Sequence, residues 1–504
     1  MSEIFQTFNP NSEISLKKFK EILKNSERFT EADLALINQA LEFGKKYHQG
    51  QKRLSGKDYF KCHCLHVGLY LHVLQLDAAI IVAGILHDSL EDTEATLKII
   101  EDQFGSEIAF LIDGVSNLSD IKYRYYKQKI SSLRKFFVAV SKDVRVIIIK
   151  LCDRLHNLQT LEYLEADKQK RIAEESMLIH AQLAERLNIS QLHKQINDLA
   201  FPYVFKKDYQ RVKALQKQTL KNVDKVIEKV YRKCLIILDK NLDYKPSIDR
   251  RLKSTYSLYK KLLKEDWNIK AIYDVIALRI ILKDPADCYK VLGLIHNQWQ
   301  PINQRFKDYI ASPKSNGYAS LHTTIFTGDG SVAEIQIKTA EMHQLAEYGL
   351  ARHLQYKKDT SRDPLEMRKK TTFDWLDQLK LMHAQEKFDV KDYINDLRSD
   401  FFNDRIFVKT PKGDVIDLIQ GATILDFAFA IHTDIGLIAK GGYINGSYKA
   451  LKTPLNNLDI VEIVTDKKIK PQNKWLTWVK TPLAIRSLKS CLGKNQKPNP
   501  TKSR

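Results

Sequence analysis

The chain has 504 residues, of which 43% are hydrophobic and 28% charged, and its formal net charge is +20. That length accommodates two to four domains, each with its own core. No apolar run approaches the roughly 20 residues that a membrane helix needs, and the start, MSEIFQTFNPNSEIS, lacks the basic and apolar segments of a secretory signal, so a cytoplasmic protein is expected. The charge favours polyanionic partners such as nucleotides, RNA or anionic lipid. It is uneven: Lys467 to Arg504 holds nine Lys, two Arg and no acid, which is +11 of the +20. The six cysteines are sparse and read as reduced thiols.

In chain order, residues 1–29 read as an N-terminal extension and 30–200 as an all-helical domain. ADLALINQALEFGKKYH, LDAAIIVAGILHDSLEDT and DVRVIIIKLCDRLHNLQTLEYL carry helical apolar spacing. Residues 201–242 are a basic helical connector without internal breakers from 205 to 240. From 243 to 360 the texture becomes α/β. IYDVIALRIIL and VAEIQIKT read as strands, and RLKSTYSLYKKLL, CYKVLGLIHNQW and AEMHQLAEYGLARHL as helices. Residues 361–402 read as a helical linker. Residues 403–466 read as a small β-rich domain with a hairpin turn at Lys412-Gly413. The basic tail, 467–504, is expected to be helical in part and then disordered.

The first chemical constellation is HDSLEDTE, residues 87–94. In one continuous helix His87 would share a face with Glu91, and Asp88 with Asp92. This is either a solvated helix end or a metal site. His63 on an earlier helix and Asp153 on a later one would complete a mixed nitrogen and oxygen set suited to Mn²⁺. A divalent ion lowers the pKa of a water it binds, which can then attack phosphorus. Glu91 and Asp92 could orient that water or take its proton. Arg53 and Lys52 stand where a phosphate clamp would be useful. His63 also sits between Cys62 and Cys64, but no second cysteine pair follows at zinc-finger spacing.

The second constellation lies in the α/β region. Read as one helix, RLKSTYSLYKKLL has an apolar stripe of Leu252, Tyr256, Tyr259 and Leu263, with Lys253, Ser257 and Lys261 on another face and Arg251 at its start. That face is either solvated or holds a triphosphate. In VAEIQIKT, Ile335 and Ile337 point one way and Glu334, Gln336 and Lys338 the other. Glu334 with Asp274 suggests Mg²⁺ and base chemistry. Arg305, Lys307, Lys314 and His322 bracket an exposed loop bearing Tyr318, either an ordinary basic loop or a purine nucleotide site.

Taken together, these stretches resemble the long RelA/SpoT-homologue family, the enzymes that make and destroy (p)ppGpp. GKDYFKCHCLHV, GILHDSLEDT and KLCDRLHNL resemble its HD-type hydrolase domain. YDVIALRIIL, RFKDYIASPKSNGYASLHTT, VAEIQIKTAEMH and LAEYGLARH resemble its nucleotidyltransferase-like synthetase domain. VKTPKGDVIDLIQGATILDFAFAIHTDIG resembles its TGS domain, a small β-grasp module. The resemblance implies that His63, His87, Asp88 and Asp153 bind Mn²⁺, that Glu91 and Asp92 activate the attacking water, and that Arg53 and Asn157 line the nucleotide pocket. It implies that Arg251, Lys253 and Lys261 contact ATP phosphates and that Asp274 binds Mg²⁺. Glu334 would bind Mg²⁺ or activate the 3′-hydroxyl of GDP or GTP. Tyr318 would stack on guanine, and Arg305, Lys307, Lys314 and His322 would contact phosphates around it.

RFKD is the basic form of a short motif that is acidic in synthetase-only members, so the resemblance is to the bifunctional type. The sequence departs from the family in places. One residue is inserted before His63, Arg250 stands for a usual Gly, and Asn117 for a Lys. Lys338 stands for an Arg, which loses bidentate geometry, and RHL at 352–354 replaces AHW. The chain ends soon after the TGS-like stretch, so a member truncated after TGS, without the family's zinc-finger-like and ACT modules, is expected. A hydrolase-dominant enzyme with a weak synthetase, and an RNA-binding regulator with relic sites, are the alternatives. Contact with tRNA or ribosome through TGS and the tail is expected for the second, with His432 the residue to watch. The 205–240 connector is expected to couple the two activities.

Overall fold

The computed structural model describes residues 9–119, 143–313, 318–328, 330–349, 351, 405–411, 413, 415–456 and 459–494. They fall into two compact units, 1–384 and 385–504. The expected linker at 361–402, the triplet at 352–354, Lys314, the hairpin residue Lys412, the Asn117 side chain and the tail beyond 494 lie outside the described residues.

The first unit opens with helices α1 (Leu16–Lys24), α2 (Glu31–Tyr47), α3 (Leu65–Val73) and α4 (Ala78–Ile85), with a π-turn at Phe60–Cys64 before α3. Then come α5 (Ser89–Asp92), α6 (Leu97–Phe104), α7 (Ser106–Ser119), α8 (Arg145–Gln159), α9 (Ala166–Glu175), α10 (Ala181–Arg186) and α11 (Ser190–Val204). The N-terminal segment is folded onto this bundle: α1 buries Phe19 and Leu23, and the Ile14 amide donates to the Lys61 carbonyl at 3.1 Å. Sequence AAIIVAGI is apolar all round, and α4 is buried along nearly its whole length, as a central helix must be. Helix α8 is buried likewise, packing on α3, α4, α7 and α11. These two central helices deliver their polar ends to one place.

A 36-residue helix, α12 (Lys206–Asn241), leads into the α/β half. There follow β1 (Ser247–Leu252), α13 (Thr255–Lys264), β2 (Ile276–Leu282), α14 (Pro285–Gln298), β3 (Lys307–Asp308), β4 (Leu321–Phe326), β5 (Val332–Thr339) and α15 (Ala340–Tyr348). The sheet order is β1-β2-β5-β4-β3, with only β2 and β5 parallel. Strand alternation divides its faces. Ile280 and Ile337 pair on the apolar face, which packs against Ile227, Val230, Cys234 and Leu238 of α12 and Val291 and Ile295 of α14. The opposite face carries Arg251, Ala277 and Glu334 in one row and Asp249, Arg279, Gln336 and His322 in the next.

Three expectations for this half are corrected. Arg251 and Leu252 lie on β1 rather than on the following helix, whose N-cap is Ser254. The buried stripe of α13 is Leu258, Tyr259 and Leu262, while Leu252 and Leu263 are exposed. Finally, α15 ends at Tyr348 because Gly349 turns left-handed at φ +52°, and a Cβ there would meet the Asn188 carbonyl oxygen at 2.3 Å.

Helix α11 joins the halves, packing on α8 to α10 on one side and on α12, α13 and α15 on the other. Asp198 accepts the amides of Thr255 and Tyr256 at 3.2 and 2.8 Å, at the N-terminus of α13. Gln191 donates to Glu347 at 2.5 Å. Glu347 also pairs with Arg279 at 3.1 Å, and Arg279 with Asp249 at 2.8 Å. Burial would raise the Glu347 pKa, but Lys194, Arg251 and Arg279 outweigh it and bring it down to about 2. Arg250, beside Arg251 but on the other face, pairs with Asp224 and Glu228 of α12.

The second unit holds hairpin β6 (Arg405–Lys409) and β7 (Val415–Ile419), helices α16 (Ile424–Ile431) and α17 (Thr433–Leu437), and strands β8 (Ala439–Ile444), β9 (Ser447–Lys449) and β10 (Val461–Thr465) in order β10-β8-β9. The last helix, α18 (Pro482–Lys494), buries Ala484 and Leu488 in the same core, with Trp475 ahead of it. Residues 473–494 of the expected tail are thus packed structure. Buried Asp426 fixes them by accepting the Lys480 and Thr481 amides at 2.9 and 2.8 Å.

Candidate active sites

At the meeting point of α4 and α8 the chain does not run as one helix through HDSLEDTE. It breaks after Ile85, turns at His87 and Asp88, and resumes as the short α5. The expectation of one continuous helical face is corrected. The break is braced from the segment that follows α2: Gln51 donates to the Asp92 carbonyl at 2.5 Å, and its Oε1 lies 2.7 Å from His48 Nδ1.

The turn presents His87 and Asp88 to His63 of the π-turn and Asp153 of α8. His63 Nε2 lies 3.2 Å from Asp88 Oδ2 and 3.4 Å from Asp153 Oδ1. His87 Nε2 lies 3.0 Å from Asp88 Oδ2 and 3.8 Å from Asp153 Oδ1. His63, His87 and Asp88 form the tight group, with ligand atoms within 4.8 Å of one another. Asp153 is also held by Lys150 at 2.8 Å and by Asn157 at 2.5 Å. His87 Nδ1 donates to the Gly84 carbonyl at 2.8 Å, leaving the buried Nε2 close to the carboxylates but in no well-aligned hydrogen bond. A buried lone pair aimed at two carboxylates fits a divalent cation. With protons alone in the site, burial lowers the His87 pKa, but Asp88 and Asp153 more than reverse this and push it up to about 10. A cation would displace that proton.

Two openings flank the cluster. A cavity of about 420 Å³ is lined by Lys52, Arg53, Asp153, Asn157, Thr160 and His180, among others. Arg53 donates to Asn157 at 3.2 Å and Thr160 at 2.8 Å. A second, shallower opening is lined by Lys46, Gln51, Glu91 and Asp92. Tyr59, which the sequence reading overlooked, connects them. Its hydroxyl lies 2.7 Å from Asp88 Oδ2 and 3.2 Å from Asp92 Oδ2. Burial and these acids hold its pKa well above the phenol range, so it stays a donor. Asp92 thus touches the cluster through Tyr59, while Glu91 stands on the exposed side of α5.

On the polar face of the sheet, Asp274 lies two residues before β2 and is gripped by Lys253 and by Lys261 at 2.6 Å. Its other oxygen, Oδ1, is buried without a partner. Burial raises its pKa, but the two lysines carry it below the usual range. Glu334 accepts from Gln336 at 2.9 Å and faces His322 Nδ1 at 3.4 Å. Gln336 is held in turn by Arg251 at 2.9 Å. His322 and Gln336 outweigh burial and keep Glu334 ionised, although nearby Asp274 opposes them.

The loop is exposed at residues 311–313, as expected, but the Tyr318 side chain is drawn inward. It is half-buried, its hydroxyl 2.8 Å from His322 Nε2, with the Lys338 ammonium over its ring at 4.8 Å. Lys338 is only 1% exposed: α15 packs on both β5 and α11 and covers the strand end. Burial and Arg251 bring its pKa down to about 7. Arg305 stacks on Tyr273 at 4.4 Å, beside Asp274. Lys307 pairs with His322 across β3 and β4. The structure therefore gathers Arg251, Lys253, Lys261, Asp274, Tyr318, His322 and Glu334, with Arg305 and Lys307 at the rim.

Three family models match the chain: HD domain over residues 40–190, "Region found in RelA / SpoT proteins" over 250–361, and TGS domain over 406–465. A GTP pyrophosphokinase of Myxococcus xanthus is 40% identical over 478 residues, 94% of this chain and 62% of that protein. A probable guanosine-3′,5′-bis(diphosphate) 3′-pyrophosphohydrolase of Synechocystis is 39% identical over 472 residues, 93% of this chain and again 62% of that protein. The corresponding pyrophosphohydrolase of Borreliella burgdorferi is 39% identical over 483 residues, 95% of this chain and 70% of its own length. The chain thus spans less than two thirds of the first two relatives.

Proposed function

The chain belongs to the RelA/SpoT-homologue family, and on that premise we propose that it is a bifunctional alarmone enzyme acting in the cytoplasm. The helical half hydrolyses (p)ppGpp to GDP or GTP and pyrophosphate. The α/β half transfers pyrophosphate from ATP to the 3′-hydroxyl of GDP or GTP. The observation that carries this reading is the pair of separate acidic clusters, one around Asp88 and one around Asp274 and Glu334, each edged by cations.

In the helical half His63, His87, Asp88 and Asp153 would hold Mn²⁺. Such an ion supplies Lewis-acid polarisation and a water activated for attack. Arg53, Lys52 and Asn157 bind the nucleotide in a cavity whose volume suits one. The Tyr59 hydroxyl holds Asp88 and Asp92 in place, and Asp92 and Glu91 accept the proton of the attacking water.

In the α/β half Asp274 and Glu334 would hold Mg²⁺. Arg251, Lys253 and Lys261 carry the charge that ATP phosphates require, and Tyr318 presents its ring to guanine. Arg305 and Lys307 at the rim and His322 within bind phosphates, and Lys314 is assigned the same role from the sequence alone. His322 donates from Nδ1 to Glu334 and accepts at Nε2 from Tyr318, which keeps Glu334 ionised. Glu334 takes the proton as the 3′-oxygen bonds to the β-phosphorus of ATP. The α–β bridge breaks and AMP leaves. In the second unit, exposed His432 and the basic helix α18 support contact with tRNA or the ribosome, testable as salt-dependent RNA binding.

Incubating the chain with ATP, GDP and Mg²⁺ should yield AMP and ppGpp, and with ppGpp and Mn²⁺, GDP and pyrophosphate. Failure of either incubation would sink that half of the proposal.

A further inference from the structure

His87 and His63 face the same carboxylates with Nε2, but their outer nitrogens are held differently. His87 uses a backbone carbonyl. His63 Nδ1 instead meets a second histidine, His156 Nδ1, at 2.8 Å. Two ring nitrogens can bond only if one carries the proton and the other the lone pair. His156 Nε2 lies 3.2 Å from the Pro10 carbonyl oxygen, which can only accept, so Nε2 carries the His156 proton. Its ring has no exposed surface. A second proton would make it a buried imidazolium held only by an imidazole and a carbonyl, a costly arrangement. Nδ1 of His156 is therefore the acceptor and Nδ1 of His63 the donor. That leaves the His63 Nε2 lone pair facing Asp88 and Asp153.

We propose that His156 is a positioning residue of the cation site: it fixes His63 in the tautomer that can ligate, with the Pro10 carbonyl anchoring the far end. This rests on the reading of His63, His87, Asp88 and Asp153 as a divalent-cation site. The N-terminal segment serves as a clamp. Asn9 O lies 3.1 Å from His66 Nε2, Glu13 accepts the Asp58 amide at 2.9 Å, and Ile14 bonds Lys61. It thus grips the π-turn bearing His63 from before and behind. The sequence signal is the spacing of Asp153 and His156, one turn apart on α8, so that the helix delivers a ligand and the orienter of another ligand together.

The test is calorimetric titration of Mn²⁺ into the metal-stripped full chain in an Asp274→Ala background, with melting curves to establish folding. His156→Leu should weaken binding about 10- to 100-fold. His156→Asn, whose Oδ1 can occupy the Nδ1 position as acceptor, should recover most of that loss. His156→Gln carries its amide out to the Nε2 position, where it can donate to Pro10 but leaves no acceptor at the Nδ1 position, and should bind as weakly as Leu; it replaces Leu if that variant does not fold. Parental affinity in folded Leu or Gln variants, or an Asn variant as weak as they are, overturns the proposal. If the unsubstituted His156 chain binds no Mn²⁺, the cation-site reading itself fails and this inference falls with it.

Discussion

Gln191, on the last helix of the helical half, donates to Glu347, on the last described helix of the α/β half, across 2.5 Å. Gln191 and Arg279 both hold Glu347 directly, with Lys194 4.0 Å away. The expected coupler was the 205–240 connector. Helix α12 contacts α11 but packs mainly on the sheet and its helices, whereas α11 touches helices of both halves.

Glu347→Gln should therefore destabilise the chain, and the loss should depend on pH. Its folded pKa, about 2, lies below the ordinary 4.5. The carboxylate's contribution is full above the ordinary value and is lost as pH falls towards the folded one. The gap corresponds to about 3 kcal/mol. Denaturant midpoints at pH 7 should separate parent and variant, and the difference should shrink at pH 3. A constant difference would exclude the linkage.

Lys338 has the opposite sign. Its buried ammonium has a pKa of about 7 against an ordinary 10.5, so between those values the unfolded chain binds a proton that the folded chain does not. Stability then rises with pH through that window. The parent should gain stability from pH 7 to pH 9, and Lys338→Met should gain less. Equal gains would show that Lys338 is not the source.

Tyr59→Phe keeps the ring and removes the hydroxyl that joins Asp88 to Asp92. Hydrolysis of ppGpp should fall about 10- to 100-fold, with synthesis from ATP and GDP unchanged. Unchanged hydrolysis would remove Tyr59 from the site.

Much of this was legible in the sequence. Strand β5 spans VAEIQIKT as its alternation indicates, with Glu334 on the polar face. His63, His87, Asp88 and Asp153 meet as the motifs suggest. What periodicity could not show were tertiary effects. Helical spacing continues through HDSLEDTE, yet bonds from Gln51 brace a break there. Basic spacing across RLKSTYSLYKKLL looked helical, yet Arg251 is drawn into a strand by pairing with Ala277. Lys338 falls on the polar face by alternation, yet α15 covers it. Tyr59 belongs to no spacing that marks it, and only its partners reveal it.

The central claim is that one chain holds two independent reaction sites. The most direct measurement is turnover of both reactions by Asp88→Ala and Asp274→Ala. The account predicts that Asp88→Ala loses pyrophosphate release from ppGpp but still forms AMP and ppGpp from ATP and GDP, and that Asp274→Ala does the reverse. Loss of both reactions in either folded variant, or of neither, would contradict it.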